Sequence, residues 1–186
     1  MTEKVITGKA WVGGDDIYAF DIIPQKRWNF DYLSEEELGR WAMEGVDAAF
    51  GKEWALRDAG YTIIIAGKNF GGGGKSIEHP VFALKGAGIK VVIADAFARY
   101  NYRNSVNNAL PVIVCKNINQ MVKQGDEVTV DLVNGIVTNN TTGVRKEFMP
   151  LSEYAIALIE AGGLIPYTQN KLAAKKAVND QHKSEG

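Results

Sequence analysis

"YTIIIAGKNFGGGGKSIEHPVFALKGAGIKVVIA" (residues 61–94) is the stretch whose reading decides the fold. It opens on a run of β-branched residues, 61–67, that is too short for a core helix and has no alternation, the pattern of a strand buried on both faces. Four glycines, Lys75 and Ser76 follow at once. A glycine run costs backbone entropy, so something must come close to the main chain there. Pro80 then suits the first turn of a short helix, where a missing N–H is not needed. "IKVVIA" (89–94) repeats the buried-strand pattern.

Further along, "DAFARYNYRNSVNNA" (95–109) reads as a second helix, capped by Asp95, and "PVIVC" (111–115) as a third strand. Strand, loop, helix, strand, helix, strand specifies a parallel α/β unit. Upstream, residues 4–12 favour a strand that ends at Gly13 and Gly14, and Pro24 makes 21–32 a loop. Ser34 caps a helix, with Glu37 in capping-box spacing and Leu38, Trp41, Ala42 and Val46 on one face. Residues 126–149 read as two or three antiparallel strands with Asn134 and Gly135 at a turn. Ser152 caps another helix, whose inner face carries Tyr154, Ala155, Leu158 and Ile159 and whose end is marked by Gly162. The polar residues 173–186 form a tail, frayed at the terminus, leaving a single domain over 1–172.

A length of 186 residues suits one domain plus a tail, since domains commonly hold about 100 to 150 residues. The formal net charge is −1 with the cations scattered among acids, so nucleic acid is not an expected partner. The one cysteine, Cys115, excludes an internal disulfide. The amino-terminal stretch has no signal-like apolar segment and no run approaches the roughly 20 residues of a membrane span, so a cytoplasmic protein without membrane contact is expected. The sequons at Asn139 and Asn140 are then polar turn residues.

"GGGGKS" invites comparison with a nucleotide-binding P-loop. That motif needs a glycine five positions before its last one, and the position is Asn69, so the turn that aims the amides inward is missing. His79, His182 and Cys115 lack metal-site spacing, and no bound metal is expected. Cys115 closes an apolar strand, where a thiol behaves as a small hydrophobe.

"AGKNFGGGGKSIEHP" (66–80), "GIKVVIADAFARYNYRNSVNNALPVIV" (88–114) and "EAGGLIPY" (160–167) together resemble the small subunit of 3-isopropylmalate dehydratase, the swivel domain of the aconitase superfamily. The resemblance spans residues 11–171. It implies a swivelling β/β/α domain of the α/β class, with a mixed parallel core sheet or barrel and flanking helices. It also implies a heteromeric hydro-lyase whose iron-sulfur large subunit carries a 4Fe-4S cluster and binds a small hydroxy-carboxylate substrate. One cysteine agrees with that division, because a cubane cluster needs three or four thiolates. The chain alone is expected to be inactive.

The family's loop reads N-F-G-x-G-S-S-R-E-H, where the first serine is the base and the arginine holds a substrate carboxylate. Here the loop is one residue longer. Anchored on Glu78 and His79, the serines fall on Lys75 and Ser76 and the arginine on Ile77; anchored on Asn69 and Phe70, they fall on Gly74, Lys75 and Ser76. Either way no guanidinium stands there, and a lysine lacks its planar fork. Lys75 is a candidate base or carboxylate partner, or a solvated loop-tip lysine. Ser76 is a candidate base or a helix cap. Gly72, Gly73 and Gly74 offer bare backbone to the substrate. In the family's D-N-I-D-T-D-x-I-I-P, the last aspartate helps manage the leaving hydroxyl; here Phe20 takes its column and Asp21 comes one step later. Adjacent side chains of an extended segment point oppositely, so Asp21 reaches the site only if the backbone slips. Arg27, beside Trp28 in the region of the family's specificity loop, is the candidate to recover the lost carboxylate contact, while Trp28 also suits core cover. The expected activity is dehydration or isomerisation of a hydroxy di- or tricarboxylate, 3-isopropylmalate, a dimethylmalate or a homoaconitate-like acid. The alternative is a non-catalytic swivel subunit that regulates or scaffolds its partner.

Overall fold

The computed structural model describes residues 4–28, 34–73 and 75–184, with side chains as far as residue 177. Among these, seven strands form one sheet in the order β4-β3-β2-β1-β5-β6-β7. Strands β1 (Val5–Val12), β2 (Tyr61–Ala66), β3 (Val91–Ala94) and β4 (Val112–Val114) are parallel. Strands β5 (Glu127–Asp131), β6 (Ile136–Asn139) and β7 (Arg145–Glu147) continue the sheet antiparallel from the other side of β1. The α/β class, the mixed sheet and the flanking helices are therefore as the sequence led us to expect.

The unalternating apolar runs are buried on both faces. Ile64, Ala66, Val92, Ala94 and Val112 face one core, which they share with the short helices α1 (Ala19–Ile22), α2 (Glu35–Gly39), α3 (Ala55–Asp58) and α4 (His79–Gly86). Ile63, Ile65, Val91, Ile93 and Ile113 face a second core, shared with Val128, Val130 and Val137 of the antiparallel strands. The sheet thus curls so that its inner face packs largely on itself. In β5 the burial alternates, with Val128 and Val130 inward and Thr129 outward, as a strand with one solvated face requires. The β5–β6 turn forms around Asn134 and Gly135. Asp131 Oδ1 accepts from the N–H groups of Asn134 (2.8 Å) and Val133 (3.0 Å), and these bonds hold its carboxyl below the usual range.

Several local expectations need correction. Asp95 does not cap helix α5 (Arg99–Asn107); its Oδ1 accepts from the N–H of Asn117 at 2.6 Å. Residues 96–98 stay extended because they are bonded to the glycine loop, which delays the helix. Helix α2 has five residues, its cap formed by Ser34 Oγ on the Glu37 N–H at 3.2 Å. The chain breaks at Met43, which takes φ 68° and donates to the Ile22 carbonyl, yet Leu38, Ala42, Trp41 and Val46 still pack on one core. The segment read as a loop, 21–32, begins inside α1 and contains a helical turn, Gln25–Arg27, and its residues 29–32 lie outside the described residues. In helix α6 (Glu153–Ala161), Ser152 is the cap and Gly162 ends the helix at φ 86°, but Tyr154 lies outward, edge-on to Tyr167. Residues 164–184 form one continuous helix, α7 (Leu164–Ser184), in place of a frayed tail.

Helices α2 and α4 meet backbone to backbone. A Cβ on Gly86 would lie 1.7 Å from the Glu35 carbonyl oxygen, and one on Gly39 would lie 2.4 Å from the Gly86 carbonyl carbon. Overfilling a packed contact costs about 1–3 kcal/mol. Gly86→Ala should therefore lower the unfolding free energy by at least about 2 kcal/mol in urea titrations.

Candidate active-site loop

The glycine loop leaves the C-terminal end of β2 and is tied to the segment that leaves β1. Gly67 N donates to Gly14 O (2.9 Å), Asp16 N to Lys68 O (2.9 Å), Gly71 N to Ile17 O (2.7 Å) and Ala19 N to Gly72 O (2.9 Å). Two aspartates add side-chain clamps. Asp15 Oδ1 accepts from Lys68 N at 2.7 Å, and Asp16 Oδ1 from Asn69 Nδ2 at 2.8 Å. On the far side Phe70 N donates to Ala96 O and Ala98 N to Phe70 O, while the Phe70 ring meets Phe97 edge-on. Phe70 is 1% exposed, so the loop is anchored in the core at its root.

The glycines divide by use. Gly71 takes φ 73°, and a Cβ there would fall 2.2 Å from Asn101 Cγ; Gly72 is buried, and a Cβ there would lie 2.9 Å from the Asn69 amide. These two serve close packing. Gly73, at φ 99°, is exposed, whereas Gly74 lies outside the described residues. Lys75 and Ser76 are both exposed, and the cap position of α4 belongs to Glu78, not to Ser76. The descending limb is held by Asn104 of α5 and by Asn108, which caps that helix: Asn104 Nδ2 donates to Ile77 O and Asn108 Nδ2 to Glu78 Oε1, each at 2.8 Å. Sequence reading missed these anchors, although their i, i+4 spacing in "RNSVNNA" puts them on one helix face.

The upstream candidates sit differently from expectation. The Asp21 carboxylate accepts from the Tyr18 N–H at 3.0 Å, closing the first turn of α1, and it is Phe20 that lies against Gly73. Arg27 gives both arms to Glu44, Nε to Oε2 at 2.9 Å and Nη2 to Oε1 at 3.2 Å, with its guanidinium 3.3 Å over the Trp41 ring. Lys26 also reaches Glu44, at 2.8 Å. The Arg27 hydrogen bond is the main cause that holds the Glu44 carboxyl below its ordinary range, against a smaller opposing effect of burial. A depressed carboxylate adds stability above its unfolded pKa and loses it as the pH falls through the folded one. Glu44→Gln should remove part of that acid-side dependence, so the wild-type advantage in Tm at pH 7 should shrink progressively below about pH 4.

Among the described residues no group of three or more His, Cys, Asp or Glu is placed to hold a metal ion. Cys115 is 3% exposed, and burial pushes its thiol up. No described helix is long and apolar enough to cross a membrane.

Residues 31–117 match the Aconitase C-terminal domain family. The isopropylmalate/citramalate isomerase small subunit of Methanocaldococcus jannaschii is 42% identical over 170 residues, covering 91% of this chain and 97% of that protein. The chain belongs to the 3-isopropylmalate dehydratase small-subunit family. A 3-isopropylmalate dehydratase small subunit from Sulfurimonas denitrificans is 40% identical over 178 residues, 94% of this chain and 100% of that protein. The crystal structure of 3-isopropylmalate dehydratase from M. jannaschii superposes with a TM-score of 0.81 at 30% identity, over 93% of this chain and 98% of that one. The chain therefore has its family and its fold in common with these relatives, whose naming as small subunits implies a large-subunit partner.

Proposed function

We propose that this dehydratase small subunit forms one wall of a hydro-lyase active site, acting on a hydroxy-dicarboxylate such as 3-isopropylmalate and only when joined to its large subunit. The observation that carries this reading is the glycine loop itself: rooted in the core at Phe70, tied on both sides, and presenting Gly73, Lys75 and Ser76 at an exposed rim. Its thiol inventory points the same way, since a single buried cysteine leaves a 4Fe-4S cluster to the partner, where it would hold the substrate's hydroxyl and a carboxylate.

This chain's part is then the proton on carbon. Ser76 Oγ or Lys75 Nζ takes the proton from the carbon next to the hydroxyl-bearing one as the hydroxyl leaves with its bonding electrons, and returns it on rehydration. Both groups are exposed in the isolated chain, so docking of the large subunit is what would exclude water around them. If Lys75 instead keeps its charge, it holds a substrate carboxylate in place of the family's arginine.

A second reading, a swivel subunit that regulates or scaffolds its partner without chemistry, is favoured by two observations: Glu44 occupies the Arg27 fork, and Tyr18 holds the Asp21 carboxylate. The two readings separate on reconstitution. The small chain should co-purify with the iron-sulfur large subunit from the same organism, and the pair should turn over 3-isopropylmalate in an ultraviolet alkene assay. A stable pair that is inert across a panel of hydroxyacids supports the regulatory role instead. The cytoplasm is the compartment this function would need.

A further inference from the structure

The rim of the glycine loop is faced by rings. An added Cβ on Gly73 would lie 3.5 Å from the Tyr18 Cβ and 3.6 Å from the edge of the Phe20 ring, which is van der Waals contact. Phe20 stacks on Trp28 with centroids 5.3 Å apart and planes inclined by 17°, and Trp28 stacks in turn on His79 at 4.7 Å and 25°. Trp28 is fixed by its Nε1, which donates to the Ile23 carbonyl at 3.1 Å, and His79 is buried at the start of α4. Among the described residues, Phe20 is thus the outer ring of a stack of three whose inner end is built into the core.

The charges of the same segment point elsewhere. Asp21 is bonded to the Tyr18 N–H, and Lys26 and Arg27 converge on Glu44. A substrate group lying over Gly73 therefore meets aromatic carbon and finds no counter-charge from this segment. An anion there would lie against ring carbon with no cation from the described residues 18–28 turned toward it, and the face of an aromatic ring carries negative potential. An alkyl group there would be buried favourably.

We propose that Phe20, held by Trp28, determines substrate specificity in this site: it selects hydroxy-dicarboxylates whose substituent on the proton-bearing carbon is an alkyl group, and rejects those in which that substituent carries a third carboxylate. This rests on the reading of the glycine loop as the substrate wall, with Lys75 left for a carboxylate common to both kinds of substrate.

The test uses the reconstituted pair and two probes that share a malate core, 3-isopropylmalate and isocitrate, whose substituent on the same carbon is carboxymethyl. Wild type should favour 3-isopropylmalate in kcat/KM by at least about 100-fold, within the range by which a pocket rejects a group whose polar atoms it cannot satisfy. Phe20→Ala should reduce that ratio by about tenfold or more, mainly through loss of kcat/KM for 3-isopropylmalate. Phe20→Leu, which keeps an apolar group of similar reach, should retain most of the ratio, and circular dichroism of both variants controls for folding. Equal losses on both probes, or an unchanged ratio in Phe20→Ala, would overturn the assignment while leaving the hydro-lyase reading intact. A wild-type pair that prefers isocitrate would overturn it too. A wild-type pair that turns over neither probe would sink both the assignment and the reading beneath it.

Discussion

Alanine at Ser76 or at Lys75, each in the reconstituted pair, is expected to lower turnover by about 100-fold or more for whichever residue takes the proton, the usual scale of general acid-base catalysis. The pattern of kinetic constants separates their roles. Loss of the base lowers kcat with KM nearly unchanged and alters the pH profile of kcat. Loss of a carboxylate partner raises KM, because a contact made equally in ground and transition states has gone. A lysine that holds a carboxylate should be partly replaced by arginine, whereas a lysine that acts as base should not, since a guanidinium stays protonated. If both alanine variants keep the wild-type kcat, the loop does no proton chemistry and the regulatory reading gains.

Gly71→Ala should be at least as damaging, for a different reason. The position needs φ 73° and has Asn101 Cγ 2.2 Å from where a Cβ would stand, so the backbone would have to move. Moving it breaks the Gly71 N–H bond to Ile17 and disturbs Gly72, whose carbonyl holds Ala19. We expect about 2–4 kcal/mol of lost stability, combining overpacking with a left-handed conformation that alanine resists. Turnover of the pair should fall by about 100-fold or more, because displacements of about 1 Å are enough for that loss. Urea unfolding and steady-state kinetics measure the two effects separately. Wild-type values in both would mean that the loop is held far less tightly than its bonds imply. Asn101→Ala in the same chain should recover stability only in part, since it removes the clash and leaves the φ requirement.

The parallel half of the fold was legible because its strands are buried on both faces and therefore carry uninterrupted β-branched runs, which Ile63, Ile64, Ile65, Val91, Val92 and Ile93 display. The antiparallel half was legible from the alternation around Val128 and Val130 and from Asn134 and Gly135. What failed was local and had tertiary causes. Asp95 looks like a cap by residue type, but the pairing of residues 96–98 with Phe70 keeps the chain extended there and leaves the aspartate free to hold Asn117. Residues 173–184 look like a polar tail, yet straight-chain and alanine residues are good helix formers and continue α7.

At the site, the glycine run announced a close approach, and it was one, but with this chain's own Asn101 and Asn69 at two of its positions. Nothing in sequence alone separates a glycine that admits a ligand from one that admits a neighbour. The fate of Arg27 was hidden in the same way, since its partner Glu44 lies 17 residues away across a break in the helical pattern. That Phe20 rather than Asp21 meets the loop follows from the short helix α1, which sequence reading had taken for irregular chain.

Strand β1 pairs with β2 on one edge and β5 on the other, and Thr7 shares a hydroxyl bond of 2.8 Å with Thr129, 122 residues away. Strand β1 therefore waits for a partner 122 residues further along before its second edge is covered, and contacts of such long separation form slowly. Until β5 emerges the growing chain carries that strand edge uncovered, and this is the interval in which chaperones have most reason to bind it.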